Sequence, residues 1–330
     1  MIAKQQQTGT GFGAQSTGLR AHSTGFGAHS TADDVLDGIR LSGTTALVTG
    51  GYSGLGLEAT RALARAGAHV IVPARRPTTA EEALRGVPRT EIHQLDLADL
   101  ESVRTFADRF LETGRTLGLV INGAGVMACP ETRVGPGWEA HFAINHLGHF
   151  ALVHRLRPSF TAGTRVVAVS SSGHFLSGMR WGDLHFRSGY DRWLAYAQSK
   201  TANALFARHL DTLGAESGLH AFAVHPGSIL TPLQRHVPRE EWAARGWVTE
   251  DGKPADGFKT PQQGAATAVW AATSPLLDGH GGAYCQDCAI AVPAGTDDML
   301  IGGVKPWATD TAAASRLWEL SCELTGLNAF

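Results

Sequence analysis

The sequence predicts a single doubly wound α/β domain, with a mainly parallel sheet and helices on both of its faces. Short apolar runs rich in β-branched residues alternate along the chain with segments of helical spacing, and no second hydrophobic core is evident. A glycine-rich turn joins the first of these runs directly to the first helical segment. Because a strand, a helix and a second strand in this order form a right-handed crossover, the strands are expected to be parallel.

The alternation starts near residue 41 and continues through the chain. The strands are short and apolar, and the helices have their apolar residues three and four positions apart. The first unit consists of the strand TTALVT (44–49), the helix LEATRALARAG (57–67) and the strand HVIVPA (69–74). The later elements are the strand LGLVIN (117–122), the helix EAHFAINHLGHFALVHRL (139–156), the strand RVVAVS (165–170), the helix WLAYAQSKTANALF (193–206) and the strand HAFAVH (220–225).

Residues 1–40 differ in composition from the rest and are expected to form an arm outside the domain, which spans 41–330. Between residues 10 and 31 the arm contains three imperfect copies of a seven-residue unit, TGFGAQS, TGLRAHS and TGFGAHS. The copies contain glycine and turn-forming residues but no apolar seam, so the period of seven does not indicate a coiled coil. We expect a flexible arm that could pack Phe12 or Phe26 on the body.

Composition restricts the class of protein. The chain has 43% hydrophobic and 18% charged residues and a formal net charge of -2, which is typical of a globular protein without a nucleic-acid surface. No apolar run is long enough to cross a bilayer, and the N-terminus lacks the apolar core of a secretory signal. Four cysteines do not suggest a disulfide framework. We therefore expect a cytoplasmic protein that binds neither nucleic acid nor membrane.

The glycine-rich turn TGGYSGLG (49–56) lies between the first strand and the first helix. Glycine allows the backbone to turn tightly and to approach a ligand, and the amides that start the following helix can receive a pyrophosphate. The turn contains no lysine, which argues against a nucleoside-triphosphatase loop. Its position between a strand and a helix favours a dinucleotide site of the Rossmann type.

Together with the motifs after it, this turn resembles the cofactor turn of the short-chain dehydrogenase/reductase family. The resemblance covers residues 41–330, although Gly123 stands where the family's N-N-A-G element has its second asparagine. The insert between Ser171 and Tyr196 and the segment TPQQGAATAVWAAT (260–273) resemble the retinol-dehydrogenase-like branch, and uncharacterised bacterial oxidoreductases look most similar. The motifs, in the family's order, are TGGYSGLG (49–56), QLDLADL (94–100), NGAG (122–125), FAINHLGHF (142–150), VVAVSSSGH (166–174), YAQSK (196–200) and HPGSILT (225–231).

The resemblance implies a set of residues that bind a nicotinamide dinucleotide. In the family, the glycine turn holds the pyrophosphate, the Asp-Leu dipeptide holds the adenine ring, and the proline-glycine stretch contacts the nicotinamide side. The residues that match these motifs are Thr49, Gly50, Ser53, Gly54, Leu55, Gly56, Asp96, Leu97, Asn122, Gly123, Ala124, Gly125, Tyr196, Lys200, Pro226, Gly227, Ile229 and Thr231.

The resemblance also implies a catalytic tetrad of Asn145, Ser171, Tyr196 and Lys200. Tyr196 would protonate the carbonyl oxygen as a hydride arrives, or accept the proton of an alcohol in the reverse direction. Lys200 would support the tyrosine and bind the ribose hydroxyls, and Asn145 would hold a water in a proton relay from the lysine. Ser171 would donate a hydrogen bond to the developing oxyanion.

The residues themselves raise two questions about this assignment: which serine is the donor, and how the pKa of Tyr196 is lowered. Ser171 is the second of three consecutive serines, so Ser170 and Ser172 are alternatives. For alcohol oxidation near neutrality, the phenol of Tyr196 needs its pKa lowered from about 10 to roughly 7, which is about 4 kcal/mol of differential stabilisation. Lys200, one helical turn away, and the oxidised nicotinamide are the expected sources.

The end of the second strand predicts the choice of cofactor. Enzymes that use NAD place an acidic residue there to bind the ribose 2′-hydroxyl, whereas an arginine accommodates a 2′-phosphate. Ala74 occupies the acidic position, and Arg75 and Arg76 follow it. We therefore expect NADP(H) rather than NAD(H), with Arg75 as the main phosphate ligand and Arg76 beside it.

Two other groups of residues have metal-like spacing and are interpreted otherwise. Cys285 and Cys288 have the spacing of half a zinc site, but structural zinc needs two more ligands, so core or interface cysteines are expected. Four histidines lie on the predicted helix at 139–156 without a carboxylate motif, and no metal site is predicted for them. They are His141, His146, His149 and His154.

The substrate is expected to be a bulky, apolar or aromatic carbonyl compound or alcohol. The segment 231–260 follows the proline-glycine motif and would form a lid, in which Trp242 and Trp247 either face the substrate or pack the lid on the body. Aromatic residues of the insert point to the same kind of pocket. They are Phe175, Trp181, Phe186, Tyr190 and Trp193.

Three functions remain compatible with the sequence. The first is an NADP-dependent alcohol dehydrogenase or ketoreductase, the second a reductase of an imine or a conjugated double bond, and the third an NADP(H)-binding sensor or scaffold without turnover. The third would be expected to lack the tyrosine or the lysine, and both are present. In many relatives the helices at 139–156 and 196–212 form a four-helix interface, which implies a homodimer or homotetramer.

Overall fold

The computed structural model describes residues 24–327. Their strands are β1 (Thr45–Thr49), β2 (His69–Ala74), β3 (Thr90–Gln94), β4 (Leu117–Asn122), β5 (Arg133–Val134), β6 (Trp138–Glu139), β7 (Phe160–Val169), β8 (His220–His225), β9 (Tyr284–Gln286) and β10 (Ala289–Ile290). Their α-helices are α1 (Ala32–Leu36), α2 (Gly54–Arg65), α3 (Pro77–Ala83), α4 (Leu100–Glu112), α5 (Gly148–Leu156), α6 (Arg192–Gly214), α7 (Arg239–Ala244), α8 (Pro261–Thr273) and α9 (Thr311–Thr325). Within these residues no helix combines the length and the apolar composition that a membrane crossing requires.

The main sheet has eight strands in the order β10-β9-β8-β7-β4-β1-β2-β3, and only β10 runs antiparallel to its neighbour. From β1 the chain adds β2 and β3 on one side, and then returns to the centre to add β4, β7 and β8 on the other. The last residues of β1 and β4, Thr49 and Asn122, pair with each other at the point where the direction reverses. Ligands bind at such a reversal point in doubly wound sheets. The predicted fold class is confirmed.

Both faces of the sheet are covered by helices, so the central strands are buried on both sides. In β1, Ala46 and Val48 pack against α1, α2 and α8, whereas Leu47 between them faces α4, α5 and α6. This burial explains why the central strands have continuous apolar sequences rather than alternating ones. It also holds the carboxyl end of β1 rigidly between two helical layers.

The third repeat copy and the residues after it pack on the domain. Thr31 caps α1 with its side chain, and Ala32, Val35 and Leu36 are buried against the cluster that contains α2 and α8. Phe26, one of the two phenylalanines expected to pack on the body, contacts the same cluster. The first two repeat copies and Phe12 lie outside the described residues. The arm as a separate unit of residues 1–40 stays a prediction.

The helix predicted for 139–156 is helical without a break from Ala140, but its middle part is not an α-helix. Glu139 belongs to a short hairpin, and its buried carboxylate accepts the backbone N–H groups of His141 and Phe142. Residues Phe142–Leu147 are π-helical, and α5 follows without interruption. The carboxylate thus satisfies two of the first backbone N–H groups of the helix.

Candidate active site

A cavity of about 460 Å³ is bordered by residues at the carboxyl ends of the central strands. The glycine turn, the lid segment and the first turns of α6 complete its wall. Among the predicted site residues, Asn122 and Asn145 do not border it. Those that do are Thr49, Gly50, Ser53, Gly54, Leu55, Gly56, Arg75, Arg76, Asp96, Leu97, Gly123, Ala124, Gly125, Ser171, Tyr196, Lys200, Pro226, Gly227, Ile229 and Thr231.

The glycine turn brings bare backbone to the cavity. Gly50 has a φ of +70°, and a Cβ there would lie 3.0 Å from the Cα of Ala124. At Gly56 a Cβ would lie 2.3 Å from the carbonyl oxygen of Gly50, so only glycine permits the turn to close. Ser53 precedes α2 without a side-chain cap, which leaves the first amides of that helix available to a ligand. The turn therefore fits the pyrophosphate of a dinucleotide.

The hydroxyl of Thr49 joins the turn to the loop after β4. Its Oγ1 accepts the backbone N–H groups of Gly123 at 2.9 Å and Ala124 at 3.1 Å, and lies 2.8 Å from Nε2 of His149. These bonds hold the two central strands together where Gly123 replaces the family's asparagine. Asn122 is buried, and neither polar atom of its side chain has a hydrogen-bond partner among residues 24–327. Its predicted contact with a cofactor stays a prediction.

Three arginines border the cavity without a carboxylate partner in the described part of the chain: Arg75, Arg76 and Arg235. Arg235 belongs to the lid segment, and partial burial together with the charges of Arg75 and Arg76 lowers the pKa of its guanidinium. Ala74, at the end of β2, offers no carboxylate to a ribose hydroxyl. Three guanidiniums that repel one another around one cavity indicate a site for an anionic group.

Tyr196, Lys200 and Ser171 meet in the cavity. Asp191 caps α6, and its carboxylate accepts the backbone N–H groups of Trp193 and Leu194. One turn into the helix, Tyr196 is 6% exposed, and the side chain of Ser171 lies beside it: a Cβ at Gly173 would lie 3.1 Å from Cε1 of Tyr196 and 3.4 Å from Oγ of Ser171. The ammonium of Lys200 donates to the carbonyl of Val169 at 2.9 Å and lies 5.5 Å from the centroid of the Tyr196 ring.

The neighbouring serines have other partners. Ser170 is buried and donates to the backbone carbonyl of Lys200 at 2.8 Å. The backbone N–H of Ser172 donates to Nδ1 of His225 at 3.1 Å. Ser171 accepts the N–H of Gly173 at 3.0 Å. Because its side chain lies next to the Tyr196 ring and borders the cavity, the geometry favours Ser171 over both alternatives.

Burial moves the two titrating groups of α6 in opposite directions. It raises the pKa of Tyr196 to about 12, although the side chain of Ser171 acts against the rise. It lowers the pKa of Lys200 to about 8. The expected fall of the tyrosine pKa therefore does not occur in the protein alone, where burial determines the direction of the shift. Tyr196 is therefore protonated at neutral pH, as an acid must be before it donates.

Asn145 lies behind the cavity wall, in the π-helical segment. Its Oδ1 accepts the backbone N–H of Val126 at 2.8 Å, and its Nδ2 donates to the carbonyl of Val126 at 3.0 Å and to Oγ of Ser199 at 2.9 Å. Val126 borders the cavity, and Ser199 precedes Lys200 on α6. Asn145 thus connects the loop after β4 to the helix that presents the tyrosine and the lysine.

Few of the predicted aromatic residues reach the cavity. Of the five aromatic residues named for the insert, Trp193 alone borders the cavity, whereas Phe175 and Phe186 are buried in the body. Trp247 contributes from the lid segment, and its ring centroid lies 6.0 Å from that of Trp193. The guanidinium of Arg245 lies 4.0 Å from the centroid of the Trp193 ring. Phe175 packs against His174 and Lys305, and Phe186 against Tyr190 and Arg180.

Two side chains at the site were not predicted from the sequence: His149 and Arg235. His149 follows Asn145 by one helical turn, and that spacing was the available signal. Arg235 follows Thr231 by four residues in a short 3₁₀ turn, which the sequence does not distinguish from a loop. Both act through neighbours that only the fold brings together.

The cysteines and histidines with metal-like spacing have separate surroundings. Cys285 and Cys288 are fully buried in the cluster around α8. His141 pairs with Glu139 at 2.6 Å, and His146 bonds to Ser321 of α9 at 2.8 Å. Each histidine thus serves a different contact within the fold.

Comparison with known proteins agrees with this geometry. The family model described as short chain dehydrogenase matches residues 44–242. A probable oxidoreductase of Streptomyces lividans is 43% identical over 298 residues, covering 86% of this chain and 98% of that protein. Mouse retinol dehydrogenase 11 is 35% identical, with 88% of each chain covered. The crystal structure of an uncharacterised protein from Mycobacterium paratuberculosis superposes with a TM-score of 0.72 at 34% identity, covering 92% of this chain and 99% of that one.

Proposed function

The chain belongs to the short-chain dehydrogenase/reductase family, in its retinol-dehydrogenase-like branch, and on this premise we propose that it is an NADP(H)-dependent alcohol dehydrogenase or ketoreductase. The proposed reaction interconverts a carbonyl compound and an alcohol by hydride transfer. Tyr196 is the acid in reduction and the base in oxidation.

One observation carries the proposal: the side chains of Tyr196 and Ser171 are neighbours and border the same cavity as the glycine turn. A hydroxyl group and a phenol directed at one point can both donate to the oxygen of a carbonyl. Hydride addition places negative charge on that oxygen. The two donors therefore stand where charge develops.

The proton step follows from the burial of the tyrosine. The nicotinamide cofactor supplies the hydride when it is bound. Tyr196 transfers its proton to the carbonyl oxygen, and Ser171 stabilises the oxygen with a hydrogen bond. The ammonium of Lys200, within 5.5 Å of the phenol ring centroid, stabilises the phenolate that remains. Asn145 keeps α6 in register with the loop after β4.

The three arginines support NADP(H) over NAD(H). Arg75 and Arg76 follow Ala74 at the end of β2, where a 2′-phosphate would be bound. Arg235 adds a third positive charge from the lid segment. An anionic phosphate relieves their mutual repulsion, whereas a ribose hydroxyl does not.

The lid segment supports an apolar substrate. The indoles of Trp193 and Trp247, with Leu233 and Phe258, border the outer part of the cavity. Such a wall favours a bulky, apolar or aromatic carbonyl compound.

Replacing Tyr196 tests the assignment of the acid. A panel of apolar aldehydes and aromatic ketones with NADPH identifies a substrate, and Tyr196→Phe is expected to lower kcat for it by about a hundredfold or more, since a positioned acid contributes 10² to 10⁴. Tyr190→Phe is the matched control, because its hydroxyl donates to the carbonyl of Cys129 away from the cavity. Full activity of the Tyr196 variant would overturn the catalytic assignment.

A further inference from the structure

We propose that His149 is a positioning residue that joins the cofactor turn to the catalytic helix. This inference rests on the proposed function and assigns a new role within the same site. His149 is 2% exposed on α5 and lies behind the cavity wall. Its side chain does not border the cavity. His149 acts through its hydrogen bonds to Thr49 and Asn145.

The hydrogen bonds determine which nitrogen carries the proton. Nδ1 of His149 lies 3.0 Å from the backbone carbonyl of Asn145, and a carbonyl only accepts, so Nδ1 is the protonated nitrogen. Nε2 is then an acceptor, 2.8 Å from Oγ1 of Thr49. The threonine oxygen already accepts two backbone N–H groups, and its own proton has two acceptors within reach, Nε2 of His149 at 2.8 Å and the carbonyl of Ile121 at 3.5 Å. The shorter contact assigns the proton to the imidazole.

The result is a directed chain of hydrogen bonds. It runs from the amides of Gly123 and Ala124 to Thr49, where Oγ1 receives them and donates to His149. His149 in turn donates to the carbonyl of Asn145. At one end of this hydrogen-bond chain, Thr49, the first residue of the glycine turn, is held in place. The other end holds the π-helical segment, whose Asn145 side chain contacts Val126 and Ser199.

A neutral histidine suits this place for a physical reason. The link needs a donor and an acceptor on opposite sides of one rigid group, which imidazole provides in its neutral form. Burial lowers the pKa of His149 to about 4, and the nearby charge of Lys200 acts in the same direction. The ring therefore stays neutral, with one fixed tautomer, throughout the range in which the enzyme would work.

Two substitutions separate the ends of the chain. In His149→Asn the amide nitrogen replaces Nδ1 and keeps the bond to Asn145, but the bond to Thr49 is lost. In His149→Gln the amide oxygen replaces Nε2 and keeps the bond to Thr49, but the donor to Asn145 is lost. A role in filling space alone would not distinguish the two variants in this way.

The expected results are opposite for binding and turnover. His149→Asn raises the Kd of NADPH about two- to tenfold, the change that a lost neutral hydrogen bond produces, and leaves kcat within about twofold. His149→Gln leaves the Kd within about twofold and lowers kcat about tenfold or more, because Asn145 no longer holds its place. The control His146→Gln, on the preceding turn and bonded to the side chain of Ser321, changes neither quantity.

Parallel changes of Kd and kcat in both variants, or the same changes in His146→Gln, would overturn the proposal. A measurement on the wild-type protein guards against variants that do not fold. Nitrogen-15 NMR of labelled histidine should show His149 with a protonated Nδ1 and a bare Nε2 at neutral pH, and the opposite tautomer or a cation rejects the chain. If no carbonyl compound is turned over, the proposed function fails, while NADPH binding and the NMR tautomer still decide the role of His149.

Discussion

Tyr196 and Lys200 lie four residues apart on α6, and burial changes their pKa values in opposite directions. The tyrosine keeps its proton, which suits an acid, and the lysine loses its proton more readily than a lysine in water. Spacing on a helix predicted that the pair shares a face. The burial that gives each group its chemistry depends on the sheet and on the loop that carries Ser171.

Arg75 is expected to discriminate between the two nicotinamide dinucleotides. Arg75→Ala should raise the Kd of NADPH about tenfold or more and leave the Kd of NADH nearly unchanged, because a hydrogen bond to a charged group contributes about 1.5–3 kcal/mol. Titration of protein fluorescence with each reduced cofactor measures both constants. Arg85→Ala is the control, since Arg85 is exposed and does not border the cavity. Wild-type protein that binds NADH as tightly as NADPH would contradict the assignment.

The buried pair of Glu139 and His141 is expected to make stability depend on pH. Burial alone would lower the pKa of His141, but its contacts with Cys129 and Glu139 raise it to about 9. The stabilisation is fully present below the unfolded value of about 6.5 and is lost as the pH rises through about 9, and its size is on the order of 3 kcal/mol.

Urea unfolding of wild type and of Glu139→Gln between pH 6 and about 10 measures this effect. The difference between the two proteins isolates the pair, because other groups such as Lys200 titrate in both. We expect the difference in unfolding free energy to be largest at the acid end of the range and to shrink toward the alkaline end. A difference that is constant with pH would show that the histidine is not charged.

At the level of elements, the π-helical segment is the feature that sequence patterns missed. The apolar spacing of residues 139–156 predicted a continuous α-helix. Residues Phe142–Leu147 instead form a π-helical turn, and Asn145 within it bonds to Val126 and Ser199. Such a turn depends on contacts with two other elements. It could not be derived from the periodicity of one segment.

The local stability of the lid segment is expected to depend on one acidic residue. Glu241 of α7 pairs with Arg192 of α6 and, at 2.8 Å, with Arg245, which stacks on Trp193. Glu241→Ala should speed amide hydrogen exchange in 239–247 by roughly fivefold, since partly exposed pairs contribute about 1 kcal/mol or less. Glu240→Ala is the control, because Glu240 is exposed and has no ion pair within residues 24–327. Unchanged exchange in Glu241→Ala would show that the lid is held by other contacts.

At the level of the whole molecule, the alternation of strands and helices was sufficient to predict a doubly wound, mainly parallel sheet, whereas the strand order became known from the structure. The edge strand β3 was not recognised, because its sequence TEIHQ is largely polar and its residues are only partly buried. The packing of α1 on α8 was not predicted either, since its few apolar residues follow a glycine-rich repeat. Both elements acquire their structure from contacts that are distant in sequence.

The C-terminal helix affects the expected mode of assembly. The rings of Phe150 and Phe206 pack against Trp318 of α9, with centroids at 4.8 Å and 6.0 Å. His146 bonds to Ser321 of the same helix. Part of the surface of the two helices predicted to form a four-helix interface is therefore covered by α9 within the chain. A homodimer or homotetramer stays a prediction.

Hydride transfer to a carbonyl carbon is the central claim, and isotope transfer tests it most directly. Wild-type protein would be incubated with NADPH that carries deuterium at both positions of C4 of the nicotinamide and with a carbonyl compound selected from the panel. Mass spectrometry and NMR then locate the deuterium in the product. The account predicts an alcohol with one deuterium on the former carbonyl carbon. Deuterium at a reduced carbon-carbon or carbon-nitrogen bond, or no transfer with any compound of the panel, would contradict it.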